Sequence, residues 1–341
     1  MKEMKKLFTP VVVVVMMVAM LMPVAVFGAT FDTATGTFSN NNVPSIDYVK
    51  LYDTGGTPVE VSAMTPQVQY DARVKVTDAD LKADLTTIVV KIYYDSTTEG
   101  TTEAEYDGKS AATQTCAIIT WTESTGLFTL TTMAGTTWVL GTGVAPADLT
   151  GEFQFKFTVG KVATEATGGA ADDWQIAAKV TDDSSQADWE ADSNGSTMNW
   201  YGEIDVPTAT ADWGTVNPGM DFAEDTSSEE ALGVTVNYIS NGAFDEKVKS
   251  GATWSGVPSG TATLSADAGA ANEFALKADD SGTLTSAVVV DATGVAIDES
   301  GTQTAEAGHD AAANALWLKL NATFTKAVYT GTITYIIADG S

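Results

Sequence analysis

Residues 68–77 read Val-Gln-Tyr-Asp-Ala-Arg-Val-Lys-Val-Thr, and residues 87–94 read Thr-Ile-Val-Val-Lys-Ile-Tyr-Tyr. Both stretches alternate apolar with polar side chains and are built from β-branched and aromatic residues. A period of two with that composition is the signature of a half-buried strand. Residues 46–52 repeat the pattern on the N-terminal side. Further strands are predicted over 114–122, 126–131, 136–140, 151–158, 174–181 and 198–206, separated by Gly, Asp, Asn and Pro clusters. Helical turns are expected only at 80–85 and 309–315. Strands at this spacing, with no helical period between them, imply an antiparallel sandwich.

Pro207 and the residues to 212 mark a boundary, and a second strand series follows. Its members are predicted at 212–216, 232–239, 261–266, 273–278, 285–290, 316–324 and 329–338, the last two expected to pair as a hairpin. The expected fold class is therefore all-β, with two antiparallel β-sandwich domains in tandem. The first covers 44–206 with an insertion around 96–150, and the second covers 207–341.

The N-terminus has a different character. Lys2, Lys5 and Lys6 precede the unbroken apolar run 11–22, and Pro23 and small residues follow it. This order of charge, apolar run and small residues is that of a secretory signal over 1–28, with cleavage after Gly28 and Val26 at the −3 position. An uncleaved membrane anchor is the alternative, since the run nearly suffices to span a bilayer. Both options put the rest of the chain outside the cytoplasmic membrane. Residues 29–43 are mostly polar, with aromatic side chains only at Phe31 and Phe38, and are expected to be a flexible leader or a strand donated to another sheet.

The 341 residues hold 45 acids against 17 lysines and arginines, a formal charge of −28. Removing the leader makes the balance still more acidic. Nucleic acid is excluded as a partner, because phosphate binding needs clustered cations. Association with an anionic membrane is disfavoured for the same reason, except through an uncleaved leader. Cys116 is the single cysteine, so no disulfide forms within the chain, and its setting in 115–119 reads as a buried small hydrophobe. His309 is the single histidine. A nucleophile with a histidine base, or a transition-metal site built from histidine and cysteine, is therefore not expected.

Val74-Lys75-Val76-Thr77-Asp78-Ala79-Asp80-Leu81, the strand 85–93, and Trp174-Gln175-Ile176-Ala177-Ala178-Lys179-Val180-Thr181-Asp182 resemble immunoglobulin-like or cadherin-like modules of prokaryotic secreted and surface proteins. The resemblance covers roughly 44–206 and departs from the pattern at the insertion. The turn-then-strand opening of the second half, WGTVNPG and later VTVNYISNG, is similar in layout to camelysin- and TasA-type sandwiches. What these resemblances imply is an immunoglobulin-like fold and a role in surface scaffolding, adhesion or fibre formation.

If the immunoglobulin-like strand order holds, the loops after Val76 and Val180 share one end of the first sandwich. They carry Asp78, Asp80, Asp84, Asp182, Asp183 and Asp188. Converging carboxylates that outnumber the nearby lysines suit a hard cation that takes six to eight oxygens, and calcium is the expected cofactor. Aspartates also end strands and bond their own turns, which is the alternative use of the same residues. The acidic stretch 99–107 has the richness of a calcium loop without its ligand order. Trp121, Trp138 and Trp254 lie in Thr- or Ser-rich settings and are expected to be exposed, where they would stack on sugar rings. Asn194 and Asn321 match the N-glycosylation acceptor pattern.

The expected function is that of a non-enzymatic extracellular or cell-surface structural or assembly protein stabilised by calcium, with itself or other cell-envelope proteins as partners. A carbohydrate-binding adhesin, with glycans as partners, is the alternative. A secreted glycan-active hydrolase is a third option, because two carboxylates suffice for that chemistry.

Overall fold

A computed structural model describes residues 40–96, 102–169, 171–192, 194–207, 210–222 and 232–340. The stretch 1–28, expected to be an export signal, and residues 29–39 lie outside them. No helix of the described residues is long and apolar enough to cross a membrane.

The chain is all-β, and its strands fall into several sheets. The first series is β1 (Ser45–Asp53), β2 (Ala63–Met64), β3 (Gln69–Thr77), β4 (Leu85–Asp95), β5 (Cys116–Thr122) and β6 (Leu127–Thr131). It continues with β7 (Val139–Leu140), β8 (Phe153–Thr158), β9 (Asp173–Asp182), β10 (Ala187–Ala191) and β11 (Thr197–Met198). Four of these form a sheet ordered β1-β3-β8-β7, and five form another ordered β10-β9-β4-β5-β6.

The two sheets face each other, and the alternation predicted at 68–77 and 87–94 supplies the core between them. Ala72, Val74 and Val76 from β3 and Phe153, Phe155 and Phe157 from β8 meet Ile88, Val90 and Ile92 from β4. Register carries the pattern across the second sheet: Ile88 stands opposite Trp121 and Val180, and Val90 opposite Ile119 and Ala178. The other face of that sheet is not bare. Helix α1 (Glu103–Gly108) packs Tyr106 onto it, beside Tyr93, Cys116 and Ala177. The acidic stretch expected to be a loop is thus partly this helix, with the Thr102 hydroxyl accepting from the Glu105 N–H as its N-terminal cap. Its acids Glu103 and Asp107 pair with Lys179.

The second series comprises β12 (Gly202–Asp205), β13 (Leu232–Ser240), β14 (Phe244–Ser250), β15 (Thr253–Val257), β16 (Thr261–Leu264) and β17 (Glu273–Asp279). It ends with β18 (Val288–Val289), β19 (Val295–Gly301), β20 (Asp310–Leu320), β21 (Val328–Thr330) and β22 (Ile333–Asp339). An eight-stranded sheet runs β12-β13-β20-β17-β16-β15-β21 with β18 beside β17, and a three-stranded sheet runs β19-β14-β22. Val234, Val236, Leu276, Leu316 and Leu318 from the large sheet and Val248 and Tyr335 from the small one share a single core.

Three expectations are corrected here. Residues 309–315, read as a helical turn, are mostly the start of β20, because long sheet neighbours on both sides override a weak local preference. The hairpin of 316–324 with 329–337 does not form: β20 pairs with β13 and β17, and β22 pairs with β14 in the other sheet. The strand expected over 198–206 is divided, Thr197–Met198 pairing with β2 and Gly202–Asp205 with β13.

Candidate functional site

β3 ends at Thr77, and the chain must turn sharply to start β4 at Leu85. Asp78 begins the turn by accepting the Asp80 N–H through Oδ1 at 2.8 Å. Leu81 then adopts φ 75° and ψ 171°, a backbone region that costs a side-chain-bearing residue of the order of 1–3 kcal/mol. A short 3₁₀ turn, Lys82–Asp84, closes the loop. The result brings one carboxylate oxygen each of Asp78, Asp80 and Asp84 within 4.8 Å of one another.

Two neighbouring segments are tied to this turn. Asp80 Oδ2 accepts both the backbone N–H and the side-chain amide of Asn42, just before β1, at 2.6 and 3.0 Å. From the β9–β10 hairpin, the Asp183 N–H donates to the Asp84 carbonyl at 2.8 Å. Burial pushes the Asp84 carboxyl up to about 6, and the close Asp183 carboxyl and the charges of Asp78 and Asp182 act in the same direction. The lysine of the turn does not relieve this crowding. Lys82 Nζ donates to the Pro146 carbonyl at 2.6 Å and sits 5.5 Å from the centre of the Trp121 ring.

Asp78 Oδ2 and Asp84 Oδ2 are buried atoms with no hydrogen-bond partner among the described residues. Oxygen-only donors, a crowding of negative charge and two unsatisfied oxygens together fit a hard divalent cation. A cation held by Asp78, Asp80 and Asp84, with the Asp183 carboxyl beside Asp84, would join the β3–β4 turn, the entry to β1 and the β9–β10 hairpin at one point.

The remaining acids of the expected cluster serve elsewhere. Asp182 is buried and accepts the Gln186 N–H at 2.7 Å, shaping the hairpin. Asp188 is corrected: it is not part of the close group, because its Oδ2 accepts the Ile46 N–H at 2.7 Å. Asp192, which sequence reasoning did not single out, does the same for Leu51 at 3.2 Å. Both N–H groups belong to β1, which pairs with β3 along one edge and along the other meets only the short bridge of Tyr52 with Glu60 among the described residues. Two carboxylates, Asp188 within β10 and Asp192 just after it, therefore satisfy N–H groups on the edge of β1 away from β3, across the gap between the sheets, which blunts an edge otherwise prone to pairing. The signal available in the sequence was the spacing of acids around 187–191, which reads equally as a solvated face.

The tryptophan expectation is overturned. Trp121, Trp138 and Trp254 are 1%, 7% and 9% exposed and lie in the cores. Trp121 packs on Phe153 at 4.7 Å, Trp138 on Phe157 and Trp174 at 5.9 Å each, and Trp254 on Phe274 at 4.8 Å. The threonines beside Trp121 face the other way because the tryptophan, in phase with Ala117 and Ile119, faces in. Cys116 is buried, and burial pushes its thiol up to about 11. Asn194 is exposed in a loop. Asn321 spends its amide on the Ala268 carbonyl and its oxygen on Thr323, so the nitrogen a glycan would need is engaged.

No family model and no curated protein matches the chain. Among solved structures, dimeric latent PorU from Porphyromonas gingivalis aligns with 79% of this chain at 8% identity and a TM-score of 0.11. The chain spans 30% of the length of that structure. A likeness of this size supports no statement about fold or activity.

Proposed function

We propose that this chain is a non-enzymatic structural or assembly protein of the extracellular space or cell surface. In this reading it is two immunoglobulin-like sandwiches in tandem, stabilised by calcium at Asp78, Asp80 and Asp84 beside Asp183, with itself or other envelope proteins as partners. The observation that supports it is the position of the carboxylate trio. It sits where three structural segments converge, so a bound cation would stiffen the fold. The extracellular assignment rests on the export signal read in the sequence, and calcium is abundant there. The adhesin alternative rested on exposed tryptophans and loses its support with their burial.

Calorimetry of the exported chain tests the metal reading. Extracellular calcium modules bind in the range of about 0.1–1 mM. At 10 mM calcium, linkage then adds about 1.4–2.7 kcal/mol, read as a rise in Tm of several degrees over the chelated protein. Asp84→Asn should remove most of that rise, whereas Asp188→Asn should keep it. Negative-stain microscopy and light scattering test assembly. Monodisperse monomers with and without calcium, together with an unmoved Tm, would end the proposal.

A further inference from the structure

A three-stranded sheet cannot cover an eight-stranded one. In the second half a groove of about 830 Å³ remains at one end of the large sheet, roofed by residues 211–218 and 324–329. Its wall is aromatic: Trp213 lies 6.1 Å from Trp254, which lies 4.8 Å from Phe274, and Phe324 and Tyr329 form an edge-on pair at 4.9 Å. Val257 and Val328, opposite each other on β15 and β21, stand at its rim, 67% and 72% exposed. β21 ends the sheet, so among the described residues its outer edge has no strand beside it. Of the lining residues only Asp212 and Lys326 are charged, and their charges cancel.

In a chain of formal charge −28 this is unusual ground. Copies of so acidic a protein repel each other over most of their surfaces and can approach where charge is absent. An apolar rim beside an open strand edge is also the arrangement that accepts an added strand, which supplies backbone hydrogen bonds while pockets take alternate side chains.

We propose that this groove and the open edge of β21 receive residues 30–39 of a second copy of the chain. Residues 42–341 cluster as one unit by their contacts, and this segment precedes that unit and is long enough to serve as a strand. Its sequence, TFDTATGTFS, has one charge and is rich in threonine and aromatic residues, a composition suited to a pleated, half-buried position. In an extended chain Phe31, Thr33, Thr35 and Thr37 share one face, and Asp32 and Phe38 the other. Burying Asp32 beside the aromatic wall is unfavourable. The face that enters is therefore that of Phe31. This inference rests on the self-assembly element of the proposed function and names its contact.

The test uses disulfide trapping between two separately purified full chains, one carrying Phe31→Cys and the other Val328→Cys. Cys116 is buried with a raised thiol and stays silent. Under mild oxidation the mixed dimer should form at least tenfold faster than with Leu127→Cys, an exposed control on β6. Phe31→Ala should lower the multimer fraction seen by light scattering at least fivefold, and Phe38→Ala less than twofold. Trapping no faster than the control overturns the assignment, as does a double variant that closes only within one chain. If multimers form without trapping, the groove is wrong and the assembly reading stands. If no multimers form at any concentration, the assembly reading fails and this inference fails with it.

Discussion

Asp192 shows how an acidic chain uses its carboxylates as fasteners. It is buried, accepts the N–H of Leu51 from the facing sheet, and accepts the N–H of Asn194 at 3.1 Å. Removing such an acceptor leaves a buried donor unpaired, at a cost of about 1–3 kcal/mol. Asp192→Ala should lower the urea midpoint accordingly, and Asp188→Ala, at a half-buried site, by less. Glu246 is the opposite case, a carboxyl that burial holds protonated. It lies between the two sheets of the second core and accepts the side-chain amide of buried Asn314. Burial raises its pKa from 4.5 to about 7, with the Asn314 amide pulling the other way. Below pH 4.5 the folded and unfolded chains both hold this proton. Between 4.5 and 7 only the folded chain holds it, so stability falls as pH rises through that window and stays lower above it. The loss is on the order of 3 kcal/mol. Glu246→Gln should flatten this part of the curve in urea unfolding at pH 5 and pH 8, and an unchanged difference between the two would refute the assignment.

Among the elements, the β3–β4 turn stores the clearest strain. Leu81 is 71% exposed and buries little, yet it holds a backbone conformation that favours glycine. Leu81→Gly should therefore stabilise the fold by about 1 kcal/mol in thermal unfolding, even though glycine usually destabilises. A loss of stability would mean that the leucine side chain contributes more than its exposure implies. The strands themselves follow their alternation. In β5 the sequence Cys116-Ala117-Ile118-Ile119-Thr120-Trp121-Thr122 is buried on both faces near its start, because α1 covers the second face. The first face was legible from the period of two. The cover was not, since six residues of helix carry little periodic signal.

For the whole molecule, the polar contact between the two strand series matters most. Asn241 is fully buried and donates its amide to the carbonyls of Ala163 and Asn199, while its oxygen accepts the Tyr201 N–H at 2.6 Å. The Glu165 N–H donates to the Asn241 carbonyl, Gln303 reaches the Val162 carbonyl, and Lys161 pairs with Glu203 at 2.8 Å. Residues 42–341 form one compact unit by their contacts. One cooperative unfolding transition is therefore expected, and Asn241→Ala should lower stability by about 2–4 kcal/mol and separate that transition into two in calorimetry. A single transition in the variant would place the coupling elsewhere.

The all-β class, most strand positions and the acid turn at 78–84 were determined by the sequence alone. They follow from local periodicity and from charges that neighbours along the chain do not cancel. Only the tertiary structure decided which faces are covered, which strands pair, and which acids meet. Trp121, Trp138 and Trp254 are buried because distant phenylalanines and tryptophans pack on them. Asp188 leaves the cluster because β1 offers it an N–H from 142 residues away. Contacts at that separation depend on how sheets stack, and no stretch of local sequence encodes the stacking.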